Sequence, residues 1–359
     1  MSTMAEIVAL GCGLVGEYVI SKLIKKGHKL TIVGLEIPEK FNNTCSTIIG
    51  DAVDFVKQIN GKPLVINMLP GLIGNSVRKI LLEKKIDVVD LAFTIEDPRE
   101  YKELAIKNNC RLVYDVGIAP GYSNLLVAKA IDHLGDIEDC KIRVGGNPIL
   151  SDDDWSYMAP FSPTDVVEEY ERPARIIKNY ETVEVQAISD LHFINYNEIT
   201  NNKIGDLQAF MTDGLRSLLD FNTCKNMSEY TLRWPGHIEK FLEIQKQGLL
   251  SGEKRNNTIS NLVDSWKFSN ERDEFTLLDV SIESRNGNKR WIVYDEGKQN
   301  ASSMARTTGL VMLGFIDEML DGNIPSGIFA PEELHYINGL TKRITKKLTD
   351  EGVLITELF

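Results

Sequence analysis

The feature that most constrains the fold is a Gly-x-Gly-x-x-Gly segment, formed by Gly11, Gly13 and Gly16, between a predicted strand and a predicted helix. Residues 7–10 form a short apolar run typical of a buried strand, and apolar side chains recur at helical spacing after the glycines. Residues 29–33 form a second strand-like run. The glycines therefore lie in a strand–helix–strand unit, where they are a far more specific signal than they would be alone.

Each glycine has a physical reason in such a unit. Gly11 permits a tight turn, Gly13 leaves room for close approach of a pyrophosphate, and Gly16 allows the helix to pack against the strand. The first N–H groups of the helix, those of Leu14 and Val15 among them, lack partners within the helix and attract an anion. The pattern predicts a dinucleotide site, with NAD as the expected cofactor and NADP as the alternative.

Strands and helices continue to alternate after this glycine loop (residues 11–16). Helical segments are expected after Asp51, near Asn75 and near Pro98. The further strand-like runs cover residues 47–50, 64–69, 86–91 and 111–115. Six strands in this alternation predict an α/β fold with a doubly wound parallel Rossmann sheet of order 3-2-1-4-5-6, whose ligands bind beyond the carboxyl ends of the strands. Besides the glycine loop, the residues expected to contact the cofactor are Glu36, Asp51, Ala52, Asn67, Leu69, Pro70, Gly117, Ala119 and Pro120.

Glu36 bears on the choice between NAD and NADP. The second strand ends near Gly34, and Glu36 is the nearest acid that follows. An acid at this position can bind the ribose 2′-hydroxyl and repel a 2′-phosphate. No basic residue follows before Lys40, so NAD is favoured. A solvent-exposed loop acid is an equally good interpretation of Glu36.

After Pro120 the alternation ends, and strand-like runs occur in pairs. These runs cover residues 183–188, 230–234, 275–281 and 290–294. Asn286-Gly287 between the last two runs is a strong hairpin signal. The pattern predicts a second, α+β domain built on an antiparallel sheet, and residues 303–320 then have the wide apolar face of a helix.

Composition excludes several classes of protein. The chain has 40 basic and 52 acidic residues and a net charge of −12, which disfavours nucleic-acid binding. No apolar run approaches the roughly 20 residues that span a bilayer, and no secretory leader is recognisable. Five scattered cysteines predict neither a disulfide framework nor a zinc site. The acids at 152–154 are better explained as an exposed loop than as metal ligands. Taken together, these features predict a cytoplasmic enzyme with no metal and no membrane partner.

A set of short phrases in the second half of the chain carries a family resemblance. They are Asp115-x-Gly117-x-Ala119-Pro120-Gly121-x-Ser123-Asn124, Gly145-Gly146-Asn147-Pro148, Phe161-Ser162-Pro163, Glu169-Tyr170-x-Arg172-Pro173, Ala209-Phe210-x-Thr212-Asp213-Gly214-Leu215, Thr231-Leu232-Arg233-Trp234-Pro235-Gly236-His237 and Ala305-x-Thr307-Thr308-Gly309. Together they resemble the saccharopine dehydrogenase superfamily, and within it most closely the L-lysine 6-dehydrogenases. The resemblance runs over nearly the whole chain.

This resemblance implies an oxidative deamination. L-lysine would lose hydride from its terminal carbon to NAD, and hydrolysis of the imine would give the 6-semialdehyde, which cyclises, and ammonia. The resemblance also implies a homo-oligomer, with a dimer expected, and a discontinuous nucleotide domain. We therefore expect residues 1–121 with 302–359 to form the dinucleotide domain and residues 122–301 to form the substrate and dimerisation domain.

The implied reaction needs a cation for the substrate carboxylate and a group that moves protons. Arg233 is the first choice for the carboxylate because its planar donors match two oxygens; a strand-end arginine in a surface ion pair is an equally good interpretation. Arg172 and Arg306 are second choices, with structural roles favoured. His237 is the expected acid–base group because an unperturbed histidine titrates near neutral pH; a structural, hydrogen-bonded histidine beside the turn is the alternative. Asp115, at the end of the sixth strand, is the second catalytic candidate, although it can equally fix the loop that follows.

The substrate ammonium needs a carboxylate or another acceptor. Asp213 or Glu168 is expected to hold it, with Tyr170 as a hydrogen-bonding partner and Thr212 beside them. A helix-capping role for the Thr-Asp pair is the alternative.

Two other functions remain open at this stage. A related enzyme for saccharopine or a carboxy-polyamine would need two separate cationic clamps, because such substrates carry a second carboxylate. A protein that binds the dinucleotide without turnover would leave Arg233 and His237 facing bulk water, since fold alone does not fix function.

Overall fold

The computed structural model describes residues 4–159, 163–298 and 301–359. Phe161 and Ser162, two residues of the family phrases, lie outside these ranges. The chain divides into two compact units, one formed by residues 1–125 with 305–348 and the other by residues 126–304 with 349–359.

The first unit is built on a seven-stranded parallel sheet of order β15-β6-β5-β4-β1-β2-β3. Its strands are β1 Glu6–Leu10, β2 Lys29–Gly34, β3 Ser46–Ile49, β4 Leu64–Asn67, β5 Val88–Asp90, β6 Arg111–Tyr114 and β15 Gly327–Phe329. The predicted order 3-2-1-4-5-6 is confirmed. The additional strand β15 pairs with β6 and comes from the returning part of the chain.

Helices of the first unit alternate with these strands, as the sequence pattern predicts. They are α1 Leu14–Lys25, α2 Ala52–Gln58, α3 Gly71–Glu83, α4 Lys102–Asn108, α9 Ser303–Leu320 and α10 Leu340–Asp350. α5 Tyr122–Leu134 follows β6, and its residues 126–134 belong to the second unit. The expected helix over residues 303–320 is α9, with the same bounds. α3 begins at Gly71, four residues before the expected start near Asn75, because Pro70 occupies the position that precedes its first turn.

The second unit holds a nine-stranded sheet in the order β10-β11-β12-β7-β13-β14-β16, with the β8–β9 pair joined to β12. Its strands are β7 Asp139–Pro148, β8 Ala174–Lys178, β9 Glu181–Val185, β10 His192–Asn195, β11 Asp206–Met211, β12 Asn226–Arg233, β13 Glu274–Ser284, β14 Gly287–Glu296 and β16 Leu354–Leu358. Its helices include α6 Pro163–Glu171, α7 His237–Lys246 and α8 Arg255–Ser265.

Two details of this sheet differ from the expectation. It is mixed, not wholly antiparallel, because β7 runs parallel to β12. The hairpin between β13 and β14 is present, but Ser284 pairs with Gly287, so the two turn residues are Arg285 and Asn286. The turn lies one residue earlier than the Asn-Gly signal placed it.

The last strand lies in the second unit. β16 pairs with β14, and residues 349–359 belong to this unit although residues 305–348 belong to the first. The returning segment of the first unit is therefore shorter than the expected range of 302–359. In the described part of the chain, no helix is both long and apolar enough to cross a bilayer.

A buried ion pair fixes the carboxyl ends of β4 and β5. Arg78 and Asp90 are both fully buried, and Arg78 Nε donates to Asp90 Oδ2 at 2.7 Å. Arg78 also donates to Thr94 Oγ1 and to the Ala92 carbonyl, and Asn67 donates to the second oxygen of Asp90. Because every charge in this network has partners, loss of one member leaves an uncompensated buried group.

We predict that Arg78→Met lowers the free energy of unfolding by about 3–5 kcal/mol, because it leaves Asp90 buried without its cation. Urea denaturation followed by circular dichroism measures this loss. The matched control is Arg285→Met, since Arg285 is 88% exposed where it pairs with Glu138 and is expected to contribute about 0–1 kcal/mol. Equal effects of the two substitutions would contradict the prediction.

Candidate functional site

The glycine loop has the geometry that a diphosphate needs. Gly11 has φ +89°, and a Cβ atom there would lie 2.7 Å from the carbonyl oxygen of Met68, so a side chain is excluded on two grounds. A Cβ at Gly13 would meet no described atom within 4 Å, which leaves open space in front of the first turn of α1. Gly16 would bring a Cβ to 3.2 Å from the Gly11 carbonyl, so it allows close packing. The residues present fit a pyrophosphate at this helix N-terminus.

The acid expected to discriminate between cofactors lies at the surface. Glu36 is exposed in the loop that follows β2. Lys40, the next basic residue along the sequence, forms an ion pair with Glu17 of α1. Asp51 is also exposed, and its side chain caps α2 by accepting the N–H of Asp54 at 2.9 Å, while Ala52 is buried.

The expected contacts at the end of β4 are of two kinds. The Asn67 side chain is fully buried and donates to the Gly74 carbonyl and to Asp90, both at 3.1 Å, so it fixes the turn rather than facing solvent. Leu69 is also buried, whereas Pro70 is exposed at the start of α3. Of these three side chains, Pro70 is therefore the one open to a ligand.

A compact turn follows β6. Asp115 is 2% exposed and has φ +56°, a conformation that non-glycine residues rarely adopt. The Gly117 N–H donates to the Pro120 carbonyl, and the Ala119–Pro120 peptide is cis. Ala119 and Pro120 are half-buried and so form the accessible part of this turn.

The residues from the arginine-containing phrase lie in one aromatic cluster of the second unit. Arg233, at the end of β12, is 3% exposed, and its guanidinium carbon lies 4.4 Å from the centre of the Tyr157 ring. Its Nε donates to Tyr170 Oη at 2.7 Å, Nη1 to the Leu232 carbonyl at 2.9 Å and Nη2 to Tyr157 Oη at 3.4 Å. We call Arg233, Tyr157, Tyr170 and His237 the Arg233 cluster.

No carboxylate of the described residues forms an ion pair with Arg233. A guanidinium has five N–H donors. Three of those of Arg233 have the acceptors just named, which leaves one N–H on Nη1 and one on Nη2. Burying a cation without its counter-ion is costly. The cluster therefore offers an anion two oriented donors and a positive charge that no described carboxylate contacts.

His237 is held in one tautomer by its partners. Its Nδ1 lies 3.0 Å from the Trp155 carbonyl, which can only accept a hydrogen bond, so Nδ1 carries the proton. Nε2 is then an acceptor, and Tyr170 Oη donates to it at 3.1 Å. The hydrogen bonds thus run in one direction, from Arg233 to Tyr170 to His237 to Trp155.

The electrostatics of the cluster keep His237 neutral. Burial, together with the charge of Arg233, lowers the pKa of His237 to about 3. The expected acid–base role of His237 required a pKa near neutrality, and the fold lowers that pKa. Burial raises the pKa of Tyr157 to about 12 and that of Tyr170 well above its usual value, so both phenols also stay neutral.

Two expected roles for the substrate ammonium are not supported by the contacts. Asp213 is buried, and both of its oxygens accept hydrogen bonds from Arg175, with Arg172 at 3.5 Å. Its carboxylate is therefore already paired. Tyr170 uses its hydroxyl between Arg233 and His237, so it positions the guanidinium.

Glu169, not Glu168, joins the site. Within the described residues Glu168 forms no hydrogen bond or ion pair with the cluster through its side chain, whereas Glu169 accepts from Thr231 Oγ1 at 2.5 Å. The Glu169 charge also acts on Tyr157, Tyr170 and Arg233. Helical spacing carried this signal: at about 100° per residue, position 169 lies nearer than 168 to the face that Tyr170 buries.

Thr212 belongs to the same network. Its hydroxyl lies 2.6 Å from Glu229 Oε2 and 2.9 Å from the hydroxyl of Thr231. Glu229 and Tyr157 were not singled out by sequence reasoning. Alternation along β12 places Glu229, Thr231 and Arg233 on one face, a signal that period-2 analysis of the strand could have used.

The remaining candidates have ordinary surroundings. Asp152 accepts the N–H groups of Asp154 and Ser156 and pairs with Arg272, which gives a local turn at the surface. Among the described residues, no group of three or more potential ligands is placed to hold a metal ion. Burial raises the pKa of Cys12 to about 12, which disfavours the nucleophilic thiolate. Arg306 is buried in α9 of the first unit.

We predict that His237 makes stability depend on pH below neutrality. The unfolded side chain has a pKa of 6.5 and the folded one about 3, so between these values the unfolded state binds the extra proton. The stabilisation is complete above pH 6.5 and is lost as the pH falls toward 3. His237→Gln should therefore flatten the pH dependence of the melting temperature between pH 6.5 and 4, whereas the exposed control His133→Gln should not. Parallel wild-type and His237→Gln profiles would contradict this prediction.

Comparison with known proteins adds an independent line of evidence. Residues 117–353 match the family pattern described as the saccharopine dehydrogenase C-terminal domain. The apo saccharopine dehydrogenase (L-Glu forming) from Saccharomyces cerevisiae has a TM-score of 0.78 over 99% of this chain and 100% of its own, at 17% identity. At that identity the likeness shows the fold.

Two more distant structures are also similar. An engineered D-amino acid dehydrogenase bound to NADP+ has a TM-score of 0.46 and 11% identity, covering 96% of this chain and 99% of its own. Biliverdin reductase from Synechocystis sp. PCC 6803, in complex with biliverdin and NADP+, has a TM-score of 0.39 and 11% identity, covering 97% and 99%. Neither score is high enough to carry an argument. The family pattern, however, spans more than half of the chain, and the protein therefore belongs to the saccharopine dehydrogenase family of oxidoreductases.

Proposed function

We propose that the protein oxidises the C–N bond of a basic amino acid, L-lysine at its 6-amino group, with NAD as the hydride acceptor. The carbon–hydrogen electron pair leaves the terminal carbon as hydride, and the resulting iminium is hydrolysed to an aldehyde and ammonia. The observation that carries the proposal is the buried guanidinium of Arg233, which has two N–H donors without an acceptor and no carboxylate partner.

The Arg233 cluster supports recognition of an α-amino acid. Arg233 would bind the substrate carboxylate through its two remaining donors, since charged bidentate contacts are strong and oriented. Tyr170 fixes the guanidinium through Nε, and neutral His237 fixes Tyr170 in turn. The half-buried carboxylate of Glu169 is the group best placed by charge to receive the substrate ammonium. Asp115 remains our candidate for the acid–base group, because His237 is too weak a base.

The glycine loop supports a dinucleotide cofactor. Bound NAD would supply the hydride acceptor, and the open space at Gly13 with the first turn of α1 would hold its pyrophosphate. NAD is favoured over NADP because Glu36 is exposed after β2 and Lys40 is paired with Glu17. A homodimer in the cytoplasm is part of the proposal through the family resemblance, and light scattering on the purified protein tests the dimer.

A substrate with one carboxylate is favoured over one with two. Seven other arginines of the second unit lie 2.7–3.5 Å from a carboxylate: Arg143, Arg172, Arg175, Arg255, Arg272, Arg285 and Arg290. None of these seven arginines is therefore free of a protein carboxylate to bind the second carboxylate of saccharopine or a carboxy-polyamine. The deep burial of Arg233 and His237 also argues against a protein that binds the dinucleotide without turnover.

The direct test mixes the purified protein with L-lysine and NAD at alkaline pH and follows the absorbance of reduced cofactor. Parallel reactions contain ornithine, saccharopine, or NADP in place of NAD. We expect lysine with NAD to be fastest. Reduction with saccharopine alone would favour the related enzyme, and no reduction with any amine would overturn the proposal.

We predict that Arg233→Met raises KM for lysine by about 10- to 100-fold, because one hydrogen bond to a charged group contributes about 1.5–3 kcal/mol. The control is Arg255→Met, whose guanidinium is paired with Glu171 and is 35% exposed. Steady-state kinetics at saturating NAD measure both variants. An unchanged KM in Arg233→Met would remove the carboxylate assignment.

We predict that Gly13→Val weakens NAD binding at least about tenfold and leaves the melting temperature unchanged, because the added side chain enters space where no described atom lies. Gly11→Val is the contrasting variant, and it should lower stability as well, since φ +89° and the Met68 carbonyl both oppose a side chain. Isothermal titration calorimetry and thermal unfolding separate the two effects. Wild-type affinity in Gly13→Val would place the pyrophosphate elsewhere.

A further inference from the structure

Two glutamates of the second unit are joined through two threonine hydroxyls. Glu169 Oε1 lies 2.5 Å from Thr231 Oγ1, which lies 2.9 Å from Thr212 Oγ1, which lies 2.6 Å from Glu229 Oε2. These four side chains therefore form a hydrogen-bond chain with three short oxygen–oxygen contacts in series. It begins at the half-buried Glu169 beside the Arg233 cluster and ends at the buried Glu229.

The three contacts of this hydrogen-bond chain require three hydrogens. Each hydroxyl has one hydrogen to donate, so Thr212 and Thr231 supply two hydrogens for three contacts. If both glutamates were ionised, each threonine would donate to its own carboxylate, and lone pairs of the two hydroxyls would face each other at 2.9 Å. A third hydrogen, carried by one of the carboxyl groups, satisfies all three contacts.

The surroundings identify Glu229 as the carrier. Glu229 is 6% exposed, and no described cation forms an ion pair with it. A Cβ at Gly214 would lie 2.5 Å from its carboxyl carbon, so the neighbouring backbone closes directly over the group. Isolation of a carboxyl group from water and from cations favours its neutral form.

The charges that face Glu229 point the same way. Glu169 faces it from α6 and Asp213 from the residues after β11, and both disfavour a second negative charge. Asp213 is itself neutralised by Arg172 and Arg175. The hydrogen-bond contact with Thr212 and, least of all, the charge of Arg233 on β12 act in the opposite direction. Burial and the charge of Glu169 raise the pKa of Glu229 to about 8.

We propose that Glu229 is a neutral carboxylic acid whose proton orients the Thr212 and Thr231 hydroxyls toward Glu169, and thereby fixes Glu169 as the ionised acceptor for the substrate ammonium. Glu229 donates to Thr212, Thr212 donates to Thr231, and Thr231 donates to Glu169. Glu229 acts through Glu169 and is a positioning residue. The ammonium part of the inference rests on the proposed function, whereas the protonation of Glu229 does not.

Infrared spectroscopy tests the proton on the resting protein, with no substrate present. The difference spectrum of wild type minus Glu229→Gln at pH 7 should contain the C=O stretch of a protonated carboxyl group, shifted in D₂O. The band should disappear as the pH rises through about 8. Glu184→Gln, on the exposed face of β9, is the control and should give no such band. Absence of the band at pH 7 would overturn the inference whether or not the protein oxidises lysine.

Kinetics test the positioning role. Thr212→Val interrupts the chain and should raise KM for lysine about tenfold with kcat within about threefold, since it weakens the fixing of one charged contact. Glu229→Gln should keep nearly wild-type KM, because its amide N–H can donate to Thr212 in place of the acid. Thr182→Val, exposed on β9, is the matched control and should change neither constant.

The outcomes separate the two proposals. An infrared band with unchanged KM in Thr212→Val would overturn the positioning role and leave the proton assignment standing. A KM raised as much by Glu229→Gln as by Thr212→Val would also overturn it, because the amide should replace the acid as a donor. If no amine is oxidised, the proposed function fails, and the infrared result still decides whether Glu229 is neutral.

Discussion

The candidate site depends on the buried guanidinium of Arg233, which forms no ion pair with a described carboxylate. Removing a guanidinium from water costs several kcal/mol even after relaxation. The fold offsets part of this cost at Arg233 with the Tyr170 hydroxyl, the Leu232 carbonyl and the face of the Tyr157 ring. Burial and the charge of Arg233 keep His237 neutral, and burial keeps the Tyr157 and Tyr170 phenols neutral. A substrate carboxylate would accept from the two N–H donors of Arg233 that have no acceptor among the described residues.

Much of the first unit could be predicted because its signals are local. Short apolar runs, helical spacing and the glycine loop lie next to one another along the chain, and they gave the order of six strands. β15 was missed because three residues, Gly327–Phe329, carry no periodicity. The parallel pairing of β7 with β12 was missed for a different reason. It joins residues 87 positions apart, such as Cys140 and Met227, and no local pattern reports which strands become neighbours.

The candidate site was predictable in its membership more than in its chemistry. Family phrases drew attention to Arg233, Tyr170, Thr212 and His237, and the structure brings these side chains into one network. The neutral state of His237 could not be foreseen, because it follows from burial by segments distant in sequence. The same holds for Asp213, whose role depends on pairing with Arg175 from another strand.

The late position of β15 has a consequence for biosynthesis. All of β1 to β6 leave the ribosome before the roughly 180 residues of the intervening unit, whereas β15 follows them. Until residues 327–329 emerge, β6 presents an unpaired edge, and such an edge is a template for pairing with another nascent chain. Premature termination within the second unit would leave that edge permanently open, so truncated products are expected to aggregate or to require chaperone capture.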